Sequence, residues 1–190
     1  MKKHIQLLYF VLILFVYNSC NEETTFDESL IKDGSGNIYT EIQIGEQIWL
    51  KEDLATKLYN DGSVVLYRED KGSEGFYYKD WLNDFDRICP VGYRVPTQND
   101  FEKLITYFGG YDLNESEIIE AYVKTWNGNP NGNGGGIFNV GSGLYWTSSK
   151  KYKDGFYYNY YFYFRTENAG ISVSRYGATS LHIKCIKKIK

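Results

Sequence analysis

Between Phe156 and Phe164, eight of nine side chains are aromatic. The run reads as a β-strand with rings on both faces. Alternation places Tyr157, Tyr161 and Tyr163 on one face, and Tyr158, Tyr160, Phe162 and Phe164 on the other. One face must be core. The other either packs as well, or presents rigid amphipathic rings to a ligand. Across the chain the aromatic share is 18%, with 19 Tyr, 11 Phe and 4 Trp, which rules out wholesale disorder. The 190 residues suit one domain plus a targeting segment. A formal charge of −3 with no basic block argues against nucleic acid as a partner.

The N-terminus reads as an address. Lys2 and Lys3 precede an apolar run, Ile5 to Tyr17, interrupted only by Gln6. That run is too short to span a bilayer and fits a secretory h-region. It ends in Tyr17-Asn18-Ser19-Cys20, which resembles a lipobox despite Tyr17 in place of the usual aliphatic residue. The expectation is a lipoprotein signal peptide over 1–19, a lipidated Cys20 as the membrane contact, and a flexible acidic tether over 20–32. Asn21-Glu22-Glu23 resembles the surface-export signal of Bacteroidota lipoproteins, so an outer-membrane lipoprotein exposed at the cell surface is expected. Removing residues 1–19 takes away two lysines and no acid, leaving 19 − 24 = −5.

Three cysteines are odd for an exported chain, and lipidation of Cys20 leaves Cys89 and Cys185 as a pair. Export permits a disulfide between them. It would close a loop of 185 − 89 = 96 positions, worth about 4.5 kcal/mol by chain entropy. A Cys/His nucleophile site is disfavoured. His4 leaves with the signal, and in a strand His182 and Cys185 point to opposite faces. Two Cys and one His in no standard spacing do not make a zinc site either. No metal or cofactor is expected.

Residues 33–37, Asp-Gly-Ser-Gly-Asn, form a turn cluster; Ile38 and Ile44 occupy positions where a calcium loop needs Gly and Glu. Ile38, Thr40, Ile42 and Ile44 alternate as a half-buried strand. Gly45-Glu46 then suits a type II′ hairpin into Gln47–Leu50, with Trp49 as core. Asp61-Gly62 is another turn, Ser63 to Tyr67 a short strand, and 75–82 ambiguous between strand and helix. Thr97 and Asp100 form a capping box ahead of a helix whose inner face is Phe101, Leu104, Ile105 and Phe108; Gly109-Gly110 ends it. A second helix starts at Asn114, with Ile118, Ile119 and Tyr122 inward and Trp126 just beyond its end. Residues 127–143 are a Gly/Asn-rich loop that lacks the Gly-Lys-Ser/Thr of a P-loop. Its Asn-Pro-Asn is similar to part of the calcium-dependent sugar motif of C-type lectins, without the carboxylates. Strands follow at 144–148, 155–164, 171–175 and 180–186.

Several segments together resemble one family. They are Asp33–Tyr39, Ile44–Leu54 (IGEQIWLKEDL), Cys89–Thr97 (CPVGYRVPT), Leu144–Ser149 (LYWTSS) and Ile183–Ile186 (IKCI). Their order and spacing resemble the Fibrobacter succinogenes major paralogous domain, over roughly residues 33–190. Tyr93 stands where that family usually has Trp, and Asp53 where it usually has Asn, which bears on local packing. The resemblance implies an α+β fold: a compact C-type-lectin-like domain of irregular antiparallel strands with two helices. It implies no settled activity.

A non-catalytic binding module is therefore expected, with a polysaccharide partner met through Tyr157, Tyr161, Tyr163 and Trp126. The alternative is a structural, assembly or adhesin-type subunit whose aromatic surface meets a surface protein. Acid pairs such as Asp84 with Asp86, or Glu115 with Glu117, read as capping or solvated charge rather than as an enzyme's acid and base.

Overall fold

The computed structural model describes residues 30–66, 68–70, 75–79, 84–132, 141–175 and 179–189. The signal segment, Cys20, most of the tether, Tyr67, Trp81, Leu82 and positions 133–140 of the Gly/Asn loop lie outside them. The architecture is α+β: short helices on a set of small sheets with mostly antiparallel pairing.

Strands β1 (Ile31–Lys32) and β2 (Ile38–Tyr39) pair around the turn at Asp33. The Asp33 carboxylate accepts from the Ser35 and Asn37 N–H groups, Asn37 Nδ2 and the Tyr39 hydroxyl, so its own loop uses it up. β3 (Glu41–Ile44) and β4 (Gln47–Leu50) form the expected hairpin. Of its two central residues only Gly45 has positive φ, 58°, the type II′ pattern. The period-two run is not one strand, however. It breaks at Thr40, whose N–H and hydroxyl both go to the Glu52 carboxylate. Across that break the inward side changes: Ile38 is 56% exposed and Tyr39 is 4% exposed.

β5 (Arg68–Asp70) and β6 (Phe76–Lys79) resolve the ambiguous aromatic segment as strand. The chain then runs through α1 (Phe85–Ile88), β7 (Tyr93–Arg94) and α2 (Gln98–Tyr107). α2 has the expected capping box: Thr97 Oγ1 accepts from the Asp100 N–H, and Asp100 Oδ2 accepts from the Thr97 N–H. Arg94 grips the same carboxylate with both guanidinium ends, at 2.6 and 3.0 Å. α3 (Glu115–Ile118) starts at Asn114, again with a capping box, and continues as a π-helical stretch over Ile119–Thr125. Ile118, Ala121, Tyr122 and Trp126 point inward, while Ile119 is 40% exposed, so Ala121 takes the inner position expected of Ile119.

β8 (Asn131–Gly132), β9 (Ser142–Lys153), β10 (Phe156–Arg165) and β11 (Asn168–Arg175) form the largest ladder, in spatial order β11-β10-β9-β8. The C-terminal strand is not continuous. It divides into β12 (Ser180–Leu181) on β6 and β13 (Ile186–Lys187) between β4 and β7.

The β8–β11 sheet separates two apolar clusters. On one face Phe162 and Phe164 meet Phe101, Tyr122 and Trp126 from the helical side; Phe101 stacks on Phe162 and Tyr122 on Phe164, with interplanar angles of 9° and 7°. On the other, Tyr161 and Trp146 join Leu54, Tyr78, Ile88 and Ile183 around the disulfide. Cys89 and Cys185 are bonded and fully buried, as the cysteine arithmetic anticipates. The aromatic strand therefore packs on both faces along its inner half.

Candidate functional site

Two features stand apart from ordinary core packing. The first is a buried polar network. Lys184 is fully buried, and the Asp53 side chain is 4% exposed. Lys184 Nζ donates to Lys51 O at 2.7 Å and Asn127 O at 3.1 Å, and forms an ion pair with Asp53 Oδ1 at 2.8 Å. Its Nζ also lies 5.2 Å from the Trp126 ring centroid, a cation–π contact. On the far side, Asp53 Oδ2 accepts from the Tyr145 hydroxyl at 3.0 Å, and His182 Nδ1 is 3.7 Å away. Burial, followed by the Asp53 charge, pushes the Tyr145 hydroxyl well above its ordinary pKa, so it stays a donor. The His182 ring packs in tilted contact with Tyr77 and Tyr145, with ring centroids 4.2 and 5.7 Å away.

Above this network lies a cleft of about 480 Å³ lined by Asn37, Tyr39, Glu52, Asp53, Asn127 and Asn129, among others. Its polar side chains are largely spoken for. Asn127 Nδ2 donates to Lys51 O, Asn129 Oδ1 accepts from the Asn131 N–H, and Glu52 holds Thr40. The Asn-Pro-Asn segment thus closes its own turn over the cleft.

The second feature is the free end of the β9–β10 hairpin. Asp154 (φ 52°) and Gly155 (φ 82°) both adopt the left-handed conformation of a type I′ turn. Tyr152 lies opposite Tyr157, and their ring centroids are 4.9 Å apart. The two are 64% and 59% exposed. Phe156 is 44% exposed and lies under Arg175, whose guanidinium carbon is 3.7 Å from the ring centroid. The ladder is interrupted between Asn159 and Tyr161, where β9 carries Thr147, Ser148 and Ser149 opposite the single residue Tyr160. Bulges of this kind bend a strand, and this one divides the packed base of the hairpin from its exposed end.

The model of the Fibrobacter succinogenes major domain matches residues 42–187, which is 146 of the 190 positions. The chain belongs to this family. No curated protein and no solved structure matches it. The Fibrobacter succinogenes major domain match takes in both the Asp53–Lys184 network and the whole β9–β10 hairpin.

Within this member of the family, the residues singled out by sequence are scattered. Tyr157 is at the exposed hairpin end, whereas Tyr161 is 9% exposed and sits against Trp146. Tyr163 is half-buried, lying across Gly170 with Arg165 stacked on it. Trp126 is fully buried against Trp49, Phe101 and Tyr145. Only Tyr157 of the four presents a largely open ring, and its neighbour is Tyr152. The signal for that partner is Asp154-Gly155, a strong type I′ dipeptide that fixes Tyr152 opposite Tyr157. Of the acid pairs, Asp84 is bonded to Arg87, and Glu117 accepts from the Asn114 N–H. Nothing local announces Asp53 and Lys184, which are far apart in the chain.

Proposed function

We propose that this chain is a lipid-anchored, surface-exposed, non-catalytic binding module whose ligand is a glycan. The lipid is carried on Cys20, and the acidic tether, which ends where β1 begins at Ile31, holds the domain away from the membrane. The observation that carries the reading is the Tyr152–Tyr157 pair, two largely exposed rings side by side at the end of a hairpin. Neither ring is needed to fill the core, and each offers an apolar face to a pyranose together with a hydroxyl for hydrogen bonding.

The test is a glycan array and insoluble-polysaccharide screen with the full chain in neutral detergent, disulfide intact. Specific binding that falls about tenfold in Tyr152→Ala/Tyr157→Ala is the expected result, at about 0.5–1.5 kcal/mol per ring. Binding that the double variant leaves unchanged would sink the aromatic reading.

A second reading is favoured by one observation. Phe156 and Val173, on the face opposite the Tyr152–Tyr157 pair, are each 44% exposed, so this sheet also presents apolar surface of the kind a protein partner covers. An assembly subunit of a cell-surface complex would then show a stable oligomer by sedimentation, lost in Phe156→Ser.

A further inference from the structure

We propose that the ligand is an anionic polysaccharide, bearing carboxylates or sulfates along its length, held by a cationic face of the same hairpin. This rests on the glycan reading and names the class of glycan. Cross-strand partners share a face of a ladder. Lys151 lies opposite Tyr158, Lys153 opposite Phe156, and Tyr158 in turn opposite Arg175. Lys151, Lys153 and Arg175 therefore stand together, with Phe156 and Tyr158 as the floor between them. All three cations are exposed.

The charge here runs against the rest of the molecule. The chain is acidic overall, yet from Ser142 to Thr166 the only acid is Asp154, against Lys150, Lys151, Lys153 and Arg165. An anionic ligand competes with any carboxylate partner that such cations already have. Among the described residues Lys151 and Arg175 have none, and Lys153 Nζ is 3.9 Å from Asp154. Arg175 lies over the Phe156 ring. Stacking over a ring engages the guanidinium face and leaves its edge N–H groups free to meet a carboxylate or sulfate.

The layout suits a polymer better than a single small anion. Lys151, Lys153 and Arg175 are each exposed on an open sheet face. Lys151 and Lys153 are two residues apart on one face, about 6.5–7 Å along the strand, the scale of one sugar repeat. The Tyr152–Tyr157 pair lies on the opposite face, so a chain wrapping the hairpin end meets rings on one side and charge on the other. A lipid headgroup surface is the weaker fit. A flat anionic surface that met the cationic face would leave the Tyr152–Tyr157 pair on the opposite face unused.

The probes are polygalacturonate, its fully methyl-esterified form, chondroitin sulfate, and vesicles of anionic phospholipid, each offered to the full chain in neutral detergent. The variants are Lys151→Gln/Lys153→Gln/Arg175→Gln and Tyr152→Ala/Tyr157→Ala. Binding to polygalacturonate or chondroitin sulfate, at least tenfold tighter than to the esterified polymer and lost in the triple Gln variant, is the expected result. It should also weaken steeply as salt rises. Equal binding to acidic and esterified polymers, unchanged by the triple variant, would overturn the anionic assignment and leave the glycan reading standing. Acidic-polymer binding that survives Tyr→Ala but not Lys/Arg→Gln would keep the assignment and remove the aromatic contribution. Binding to vesicles alone, or to none of the probes, would overturn it.

Discussion

The Lys184 ammonium, fully buried, lies 2.8 Å from Oδ1 of Asp53, whose side chain is 4% exposed. The two residues come from opposite ends of the domain, and the same ammonium holds the backbone carbonyls of Lys51 and Asn127. The pair thus fastens the Gly/Asn loop to the segment after β4.

Removing one partner of a buried ion pair strands the other, at a cost of about 3–5 kcal/mol. Lys184→Met should therefore lose that much in urea unfolding, because it leaves the Asp53 carboxylate uncompensated and two carbonyls without a donor. Adding Asp53→Asn should recover part of the loss, since an amide oxygen still accepts from Tyr145. A single variant within about 1 kcal/mol of the parent would show that the pair does not hold the loop.

The aromatic residues separate by role. Trp126→Ala and Tyr161→Ala should each destabilise by about 3–5 kcal/mol, as large-to-small changes in a packed core do. Tyr152→Ala and Tyr157→Ala should cost under about 1 kcal/mol each, the scale of a cross-strand pair. Thermal melts of the four variants check this directly, and a large loss at Tyr157 would mean that its ring is structural.

Gly143 lies opposite Phe164, and a Cβ built there would approach that ring to 2.1 Å and Asn129 O to 2.9 Å. The glycine is the slot into which Phe164 lies when it stacks on Tyr122. Gly143→Ala should cost at least about 1–3 kcal/mol through overpacking, with a changed near-UV circular dichroism spectrum. An unaltered spectrum and midpoint would show that the ring can move aside freely.

Burial alone would raise the pKa of Asp100, but the bonds from Arg94 and Thr97 outweigh it and hold the carboxyl below its ordinary value. A depressed carboxylate stabilises the fold above its unfolded pKa of about 3.9. That contribution is lost as pH falls through the folded value. Unfolding midpoints followed from pH 5 downward should decline, and Asp100→Asn should flatten part of the decline. An identical slope in parent and variant would remove Asp100 from the acid response.

Reduction of Cys89–Cys185 should release about 4.5 kcal/mol of loop-closure stabilisation. The readout is the urea midpoint with and without dithiothreitol, using Cys89→Ser/Cys185→Ser to exclude effects of the reductant. Coincident midpoints would mean that the covalent link adds nothing to a core already closed by packing.

Local signals in the sequence were legible wherever chemistry between near neighbours decides the outcome. Thr97 with Asp100, Asn114, and Gly45-Glu46 each set a cap or turn within a few residues, and each is present in the fold. Errors arise where a distant group intervenes. Ile38 turns outward because Glu52, twelve positions on, takes the Thr40 donors and breaks the strand. The 180–186 run divides because its two ends serve different sheets. Exposure was not legible in the aromatic run. Its residues look alike in sequence, and only the packing of the helical side and of the disulfide cluster decides that Tyr157 is open while Tyr161 and Phe162 are covered.

The last strand segments bear on the order in which the domain can assemble. Within seven positions, Ser180 and Leu181 pair with β6, His182 bridges Tyr145, Lys184 closes the Asp53 network, Cys185 meets Cys89, and Ile186 sits between β4 and β7. A polypeptide made from its N-terminus has no way to complete either apolar cluster until this stretch has emerged. Both clusters thus stay open on one side until the last residues of the domain are available to fill them.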